Sequence, residues 1–199
     1  MNTVPVSTVD LAPSAQFSMG VYCCSRLGVD PRYAQSARDA GACIAGQRWE
    51  LVYGGGKVGL MGVVADATLA AGGKVYGVIP QNLMDKEVGH PGLTQLHVVD
   101  SMHTRKTMMF ERAHAFVALP GGIGTFEELF EIWTWYQLGT HNKPFGLLNV
   151  AGYYDPLITM LDGMVTQGFL GPAVRALLQV GTDAEELLKR LYQLAQARP

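Results

Sequence analysis

The residues best suited to chemistry stand together in one stretch, Leu119-Pro120-Gly121-Gly122-Ile123-Gly124-Thr125-Phe126-Glu127-Glu128. Three glycines and a threonine after a short apolar run make a turn whose backbone N–H groups can approach an anion closely. A helix beginning just beyond it, read as Glu127 to Leu138, adds the positive end of its dipole. Glu127 and Glu128 suit a helix start, but an anion cradle has no need of acids, so the pair points to chemistry as well as binding. Neighbouring helical residues project about 100° apart. The two carboxylates therefore do not act as one pair: one faces the pocket while the other braces the glycine turn.

A second group, Asp100-Ser101-Met102-His103-Thr104-Arg105-Lys106, reads as the start of the preceding helix, with Asp100 or Ser101 as N-cap. Cations there oppose the macrodipole, so Arg105 and Lys106 are placed against stability. Alone they would pass for a solvated surface pair. Their position changes that, because Arg105 opens the helix entering the strand before the glycine turn and Glu128 opens the helix leaving it. Both first turns reach the same edge of a sheet, where the two side chains can converge.

Gly54-Gly55-Gly56-Lys57-Val58-Gly59 formally satisfies the dinucleotide pattern G-x-G-x-x-G. The following strand ends in Ile79-Pro80-Gln81, with no acid to hold a ribose hydroxyl, and Val58 after Lys57 excludes a Walker A loop. A tight strand-to-helix turn, with a backbone contact to phosphate or ribose left open, is what remains. The histidines His90, His97, His103, His114 and His141 show no ligand spacing, so no metal is expected.

Elements that position these groups follow from the apolar pattern. Strands are expected at Phe17–Cys24, Glu50–Tyr53, Lys74–Ile79, Leu93–Val99, Ala115–Ala118, Pro144–Val150 and Leu177–Val180. Helices are expected from Pro31, from Gly59 to the Gly72-Gly73 stop, over Met102–Ala113, over Tyr154–Thr166 and over Ala184–Ala195. Strands alternating with helices predict an α/β fold, a single-domain Rossmann-like doubly wound parallel sheet with helices on both faces. In that architecture ligands bind beyond the C-terminal strand ends, and four polar segments fall there: Cys24–Asp30, Gly54–Gly59, Asp100–Lys106 and Pro120–Glu128.

Bulk properties agree with one catalytic domain over 17–195, preceded by a Pro/Ser/Thr-containing tail, Met1–Gln16, expected to be disordered. The chain has 199 residues, 48% hydrophobic and 16% charged, enough for one well-buried core. A net charge of −2 gives no electrostatic case for nucleic acid or an acidic membrane surface. No apolar run approaches spanning length, and the N-terminal segment lacks a signal peptide's pattern. Three cysteines without C-x-x-C spacing suit reduced thiols and a cytoplasmic location.

Taken together, Pro120-Gly121-Gly122-x-Gly124-Thr125-x-x-Glu128, Tyr53-Gly54-Gly55-Gly56-x-x-Gly59-Leu60-Met61-Gly62 and Met102-His103-x-Arg105-Lys106 resemble the LONELY GUY family of cytokinin-activating phosphoribohydrolases, historically mislabelled lysine decarboxylases. The likeness continues through Thr134-Trp135-x-Gln137-Leu138-Gly139, Lys143-Pro144 and Leu147-Leu148-Asn149-x-x-Gly152-Tyr153-Tyr154, and covers nearly everything from Phe17 to Leu191. It implies hydrolysis of the N-glycosidic bond of an N6-substituted AMP to free cytokinin base and ribose 5-phosphate, without metal or redox cofactor, by a homodimer with pockets near the subunit interface. Arg105 and Glu128 would be the catalytic pair. The substrate would be held by Ser25, Gly54, Gly55, Glu87, Arg105, Lys106, Gly121, Gly122, Ile123, Gly124, Thr125, Glu127, Glu128 and Thr134. The chain departs from the family's usual Cys-Gly-Ser-Ser after the first strand, carrying Cys23-Cys24-Ser25-Arg26, which bears on substrate preference. Two other readings stay open: a broader AMP or purine nucleoside monophosphate nucleosidase, and a non-catalytic nucleotide or molybdenum-cofactor binding protein.

Overall fold

The computed structural model of the protein describes residues 17–84 and 88–197; the expected tail Met1–Gln16 and the candidate Glu87 lie outside them. The strands are β1 (Ser18–Tyr22), β2 (Glu50–Tyr53), β3 (Lys74–Pro80), β4 (Gln95–Val99), β5 (Ala115–Ala118), β6 (Phe145–Leu148) and β7 (Leu178–Gly181). The α-helices are α1 (Pro31–Gly46), α2 (Gly59–Ala70), α3 (Met102–Arg112), α4 (Ile123–Gln137), α5 (Asp155–Thr166), α6 (Pro172–Arg175) and α7 (Ala184–Gln196), with single 3₁₀ turns at Gln81–Leu83 and Val150–Gly152. The strands form one sheet in the order β4-β3-β2-β1-β5-β6-β7. Every pairing is parallel.

Both faces of this sheet are covered, which is why the central strands are apolar at successive positions rather than alternately. Met19 and Val21 of β1, Leu51 and Tyr53 of β2, and Ala115 and Val117 of β5 join the core under α1, α2 and α7. Tyr22, Val52, Phe116 and Ala118 join the core on the opposite face, with side chains of α3, α4 and α5. Gly20 is required between them, because a Cβ there would stand 2.4 Å from the Phe116 ring on the neighbouring strand. In α7, Leu187, Leu188 and Leu191 form the buried stripe expected from their spacing.

Chain order reverses between β1 and β5: β2, β3 and β4 lie on one side, β6 and β7 on the other. The loops after β1 and β5 therefore diverge over a crevice at this switch point. Helix α4 departs from expectation. It begins at Ile123 with Gly122 as N-cap, four residues before Glu127, because the glycine turn itself is wound into the helix. Short α6 is likewise absent from the sequence reading. Among the described residues, no helix is long and apolar enough to cross a membrane.

Candidate active site

A cleft of about 310 Å³ opens at the switch point. Its floor is Val21, Cys23, Cys24 and Ser25 from the end of β1 and the loop after it. Its walls are Gly54 after β2, Met61 of α2, Leu83, Met102 and Arg105 of α3, and Gly122, Ile123, Gly124, Thr125, Glu127 and Glu128 of α4. Arg105 and Glu128, separated by twenty-odd residues and one strand, thus line one cavity.

Each is positioned by local causes. Ser101 is the N-cap of α3, its side chain accepting from the Thr104 N–H at 3.1 Å. That sets the first turn so that the Arg105 side chain, buried at 5% exposure, runs to the backbone after β2. There its Nη2 donates to the Gly54 carbonyl at 2.8 Å. Gly54 must be glycine for this contact, since a Cβ would lie 1.9 Å from the same nitrogen.

The glycine turn after β5 is braced from behind. Tyr154 donates its hydroxyl to the Leu119 carbonyl at 2.6 Å, and Tyr153 donates to that of Gly121 at 2.5 Å. Asn149 anchors both tyrosines' segment, its Oδ1 accepting from the Tyr154 N–H at 2.7 Å. Thr125 folds back over Gly121, where a Cβ would meet its Oγ1 at 2.0 Å. At Gly122 and Gly124, by contrast, a Cβ would meet nothing within 4 Å. Those two glycines border open cleft, and the first intrahelical bond is Phe126 N–H to Gly122 O. The amides of Ile123, Gly124 and Thr125, orphaned by helix geometry, face the end where an anion is favoured.

The other glycine-rich turn differs. The Leu60 and Met61 amides at the start of α2 both donate to the Cys24 carbonyl, at 3.0 and 3.3 Å. Gly59 (φ +61°) lets the Ser25-Arg26 backbone pack directly on this helix end. The N-terminus of α2 is thereby spent on the β1 loop, so the formal dinucleotide pattern serves packing.

The remaining expected residues divide. Against the expectation that one acid faces the pocket and the other braces the glycine turn, Glu127 lines the cleft together with Glu128, while the tyrosines brace the turn. Glu127 also accepts from Lys106 Nζ at 2.6 Å; the same nitrogen donates to Glu131 at 2.9 Å. Lys106, Gly55, Gly121 and Thr134 do not line the cleft. Gly121 borders a smaller cavity of about 200 Å³ behind the turn, with Cys24, Arg26, Tyr33 and Tyr153, and Thr134 is exposed two turns further along α4. Gly55 (φ +77°) instead admits Ile79 and Leu96 against its backbone. Sequence reasoning missed Tyr153 and Tyr154 as braces and Tyr22 beneath the acids. Burial pushes the Tyr22 phenol well above its ordinary pKa, and the charges of Glu128, Glu131 and Glu127 push it the same way. The tyrosine pair after Gly152 was a signal that lacked only a spatial partner.

Fold and site together define a Rossmann-like α/β protein whose cleft holds a glycine-capped helix N-terminus beside an arginine and a carboxylate. Residues 61–191 match the family described as "Possible lysine decarboxylase". The chain is 46% identical to cytokinin riboside 5′-monophosphate phosphoribohydrolase LOG7 of Arabidopsis thaliana, over 87% of this chain and 80% of that one. It is also 46% identical to the cytokinin riboside 5′-monophosphate phosphoribohydrolase of Rhodococcoides fascians, over 93% and 94%. The Moco carrier protein of Chlamydomonas reinhardtii shares the fold, with a TM-score of 0.68 at 21% identity over 92% of this chain and 99% of that one. The chain belongs to the LONELY GUY family of phosphoribohydrolases. The decarboxylase description does not fit the site, since the described cleft lining contains no lysine to carry a pyridoxal phosphate Schiff base.

Proposed function

We propose that this protein hydrolyses the N-glycosidic bond of cytokinin riboside 5′-monophosphates, N6-substituted AMP, releasing the free base and ribose 5-phosphate. The observation that carries the reading is the meeting of Arg105 and Glu128 in one cleft, beside the open N-terminus of α4. The 5′-phosphate takes the amides of Ile123, Gly124 and Thr125, where Gly122 and Gly124 leave room for it. Ser25 and Gly54 border the ribose.

As the C1′–N9 bond breaks, positive charge develops on the sugar, and the Glu128 carboxylate stabilises it. The same carboxylate orients the attacking water, whose oxygen bonds to C1′ while its proton ends on the departing base. Arg105, held through Gly54, supplies a fixed cation to the phosphate side and to Glu128; its planar fork suits either partner. A homodimer belongs to the same proposal, and sedimentation at micromolar concentration that finds only monomer would remove it. The three free thiols suit a reducing compartment.

The test is a base-release assay comparing N6-isopentenyl-AMP with AMP. Preference for the substituted nucleotide supports the reading; equal kcat/KM replaces it with a general purine nucleotide nucleosidase. Glu128→Gln should lower kcat by about 10²–10⁴-fold while AMP still binds. Unchanged turnover in that variant would dismiss Glu128 from the mechanism.

A further inference from the structure

Three carboxylates crowd one side of α4 above Tyr22: Glu127, Glu128 and Glu131. Glu127 and Glu131 are four residues apart, and Glu128 and Glu131 three, spacings at which like charges repel along a helix. One cation from the neighbouring helix relieves them. Lys106 Nζ sits between Glu127 (2.6 Å) and Glu131 (2.9 Å), with only 17% of its side chain exposed. Burial draws the Lys106 amine down, but the hydrogen bonds and charges of the two glutamates overcome this and hold it above its ordinary pKa. Its sequence neighbour Arg105 lines the cleft, and so does the sequence neighbour of Glu127, Glu128. The ion pair therefore ties α3 to α4 one residue away from each member of the catalytic pair.

We propose that Lys106 is a positioning residue rather than a phosphate ligand: by bridging Glu127 and Glu131 it registers α3 against α4 and keeps Glu128 ionised. The inference rests on the hydrolase reading for its purpose, but not for its test. Among the described residues, the charged and titratable groups around Glu128 are Tyr22, Cys23 and Cys24 from β1 and its loop, Arg105 and Lys106 from α3, and Glu127 and Glu131 on α4 itself. Within that set, two cations face three carboxylates. Loss of Lys106 leaves two uncompensated anions beside Glu128, which favours its neutral form. Loss of Glu131 removes one neighbouring anion and leaves two cations against two carboxylates, which favours the ionised form. The two changes therefore have opposite signs, which a merely structural weakening would not produce.

The pKa of Glu128 can be read by side-chain Cδ NMR, with its resonance assigned by disappearance in Glu128→Gln and no turnover required. Lys106→Met should raise it by about one unit, Glu131→Gln should lower it by a smaller amount, and Lys106→Arg should leave it near the native value. If Lys106→Met fails to fold, the downward shift in Glu131→Gln alone decides. In the base-release assay, the acidic limb of the kcat/KM profile should move with each NMR value. Titration of Glu128 unmoved in Glu131→Gln, or shifted the same way in Glu131→Gln and Lys106→Met, overturns the proposal. So does a native Glu128 titration in Lys106→Met accompanied by loss of AMP affinity, the signature of a phosphate ligand. Failure of the wild-type protein to release base would defeat the hydrolase reading while leaving these NMR shifts to judge Lys106.

Discussion

At the residue scale, the site depends on one arginine being buried without losing its reach. A guanidinium carries five donors in a plane, and burying it is tolerable when backbone carbonyls take some of them. Gly54 supplies such a carbonyl, and its missing side chain leaves the space through which Nη2 passes. Gly54→Ala would put a methyl group 1.9 Å from that nitrogen. The backbone there belongs to the sheet edge and cannot retreat, so the guanidinium must move by an ångström or more. We expect kcat/KM for nucleotide hydrolysis to fall by about 100-fold or more, because displacements of that size are enough to misalign a catalytic group. Thermal unfolding should change little by comparison. A variant of native activity would show that Arg105 acts from some other position.

At the element scale, two glycine-rich turns look alike in sequence and do opposite work. Both follow a strand and open a helix. The amides of α2 are taken by the Cys24 carbonyl, whereas Gly122 caps α4 with no side chain and leaves its end to the cleft. Only the distant Cys24 decides this, so no reading of Gly54–Gly59 by itself could have found it. The missing acid after β3 pointed the same way for a different reason. The start of α4 lies four residues ahead of the expected Glu127 because Gly121, Gly122 and Gly124 read as a turn, while the tyrosines that brace the segment before it, Tyr153 and Tyr154, lie some thirty residues downstream. Strands fared better: β2 and β5 lie where their apolar runs begin and end, since a buried parallel strand needs little beyond such a run and its flanking turns. The convergence of Arg105 and Glu128 was also legible, because α3 and α4 flank one strand and must begin at the same sheet edge. Lys106 was not, as its glutamate partners are set by helix packing. Gly59→Ala tests the α2 turn. With φ at +61° and a Cβ 2.2 Å from the Ser25 carbonyl carbon, it should destabilise the fold by about 2–3 kcal/mol in urea titrations. A loss below about 0.5 kcal/mol would mean the β1 loop can move off α2 without consequence.

At the scale of the whole molecule, charge is sorted to opposite ends of the sheet. The C-terminal strand edge holds Arg105, Lys106 and the α4 glutamates. The N-terminal edge holds groups that tie layers together: Arg112 at the end of α3 forks onto Glu50 at the start of β2 (2.7 and 3.0 Å), and the Ser18 hydroxyl joins it at 3.2 Å. Lys143, just before β6, belongs to this second group. Its Nζ donates to the Phe110 carbonyl at 2.5 Å and lies 4.1 Å from the Phe110 ring centroid. Burial lowers its pKa to about 8 from the ordinary 10.5, only partly opposed by Glu111. Below pH 8 the folded and unfolded chains both carry the proton, and the buried charge works against folding. Between about 8 and 10.5 the unfolded chain still binds it while the folded one does not, so this lysine's contribution to stability rises with pH across that window and is complete only above it. In Lys143→Met that gain is absent. The tyrosines and other lysines titrate alike in both proteins, so the stability difference between them isolates this one amine. Urea unfolding at pH 7, 8.5 and 10 should show wild type gaining on the variant at each step; a difference independent of pH would mean the Lys143 amine stays protonated in the fold, held by the Phe110 carbonyl and ring.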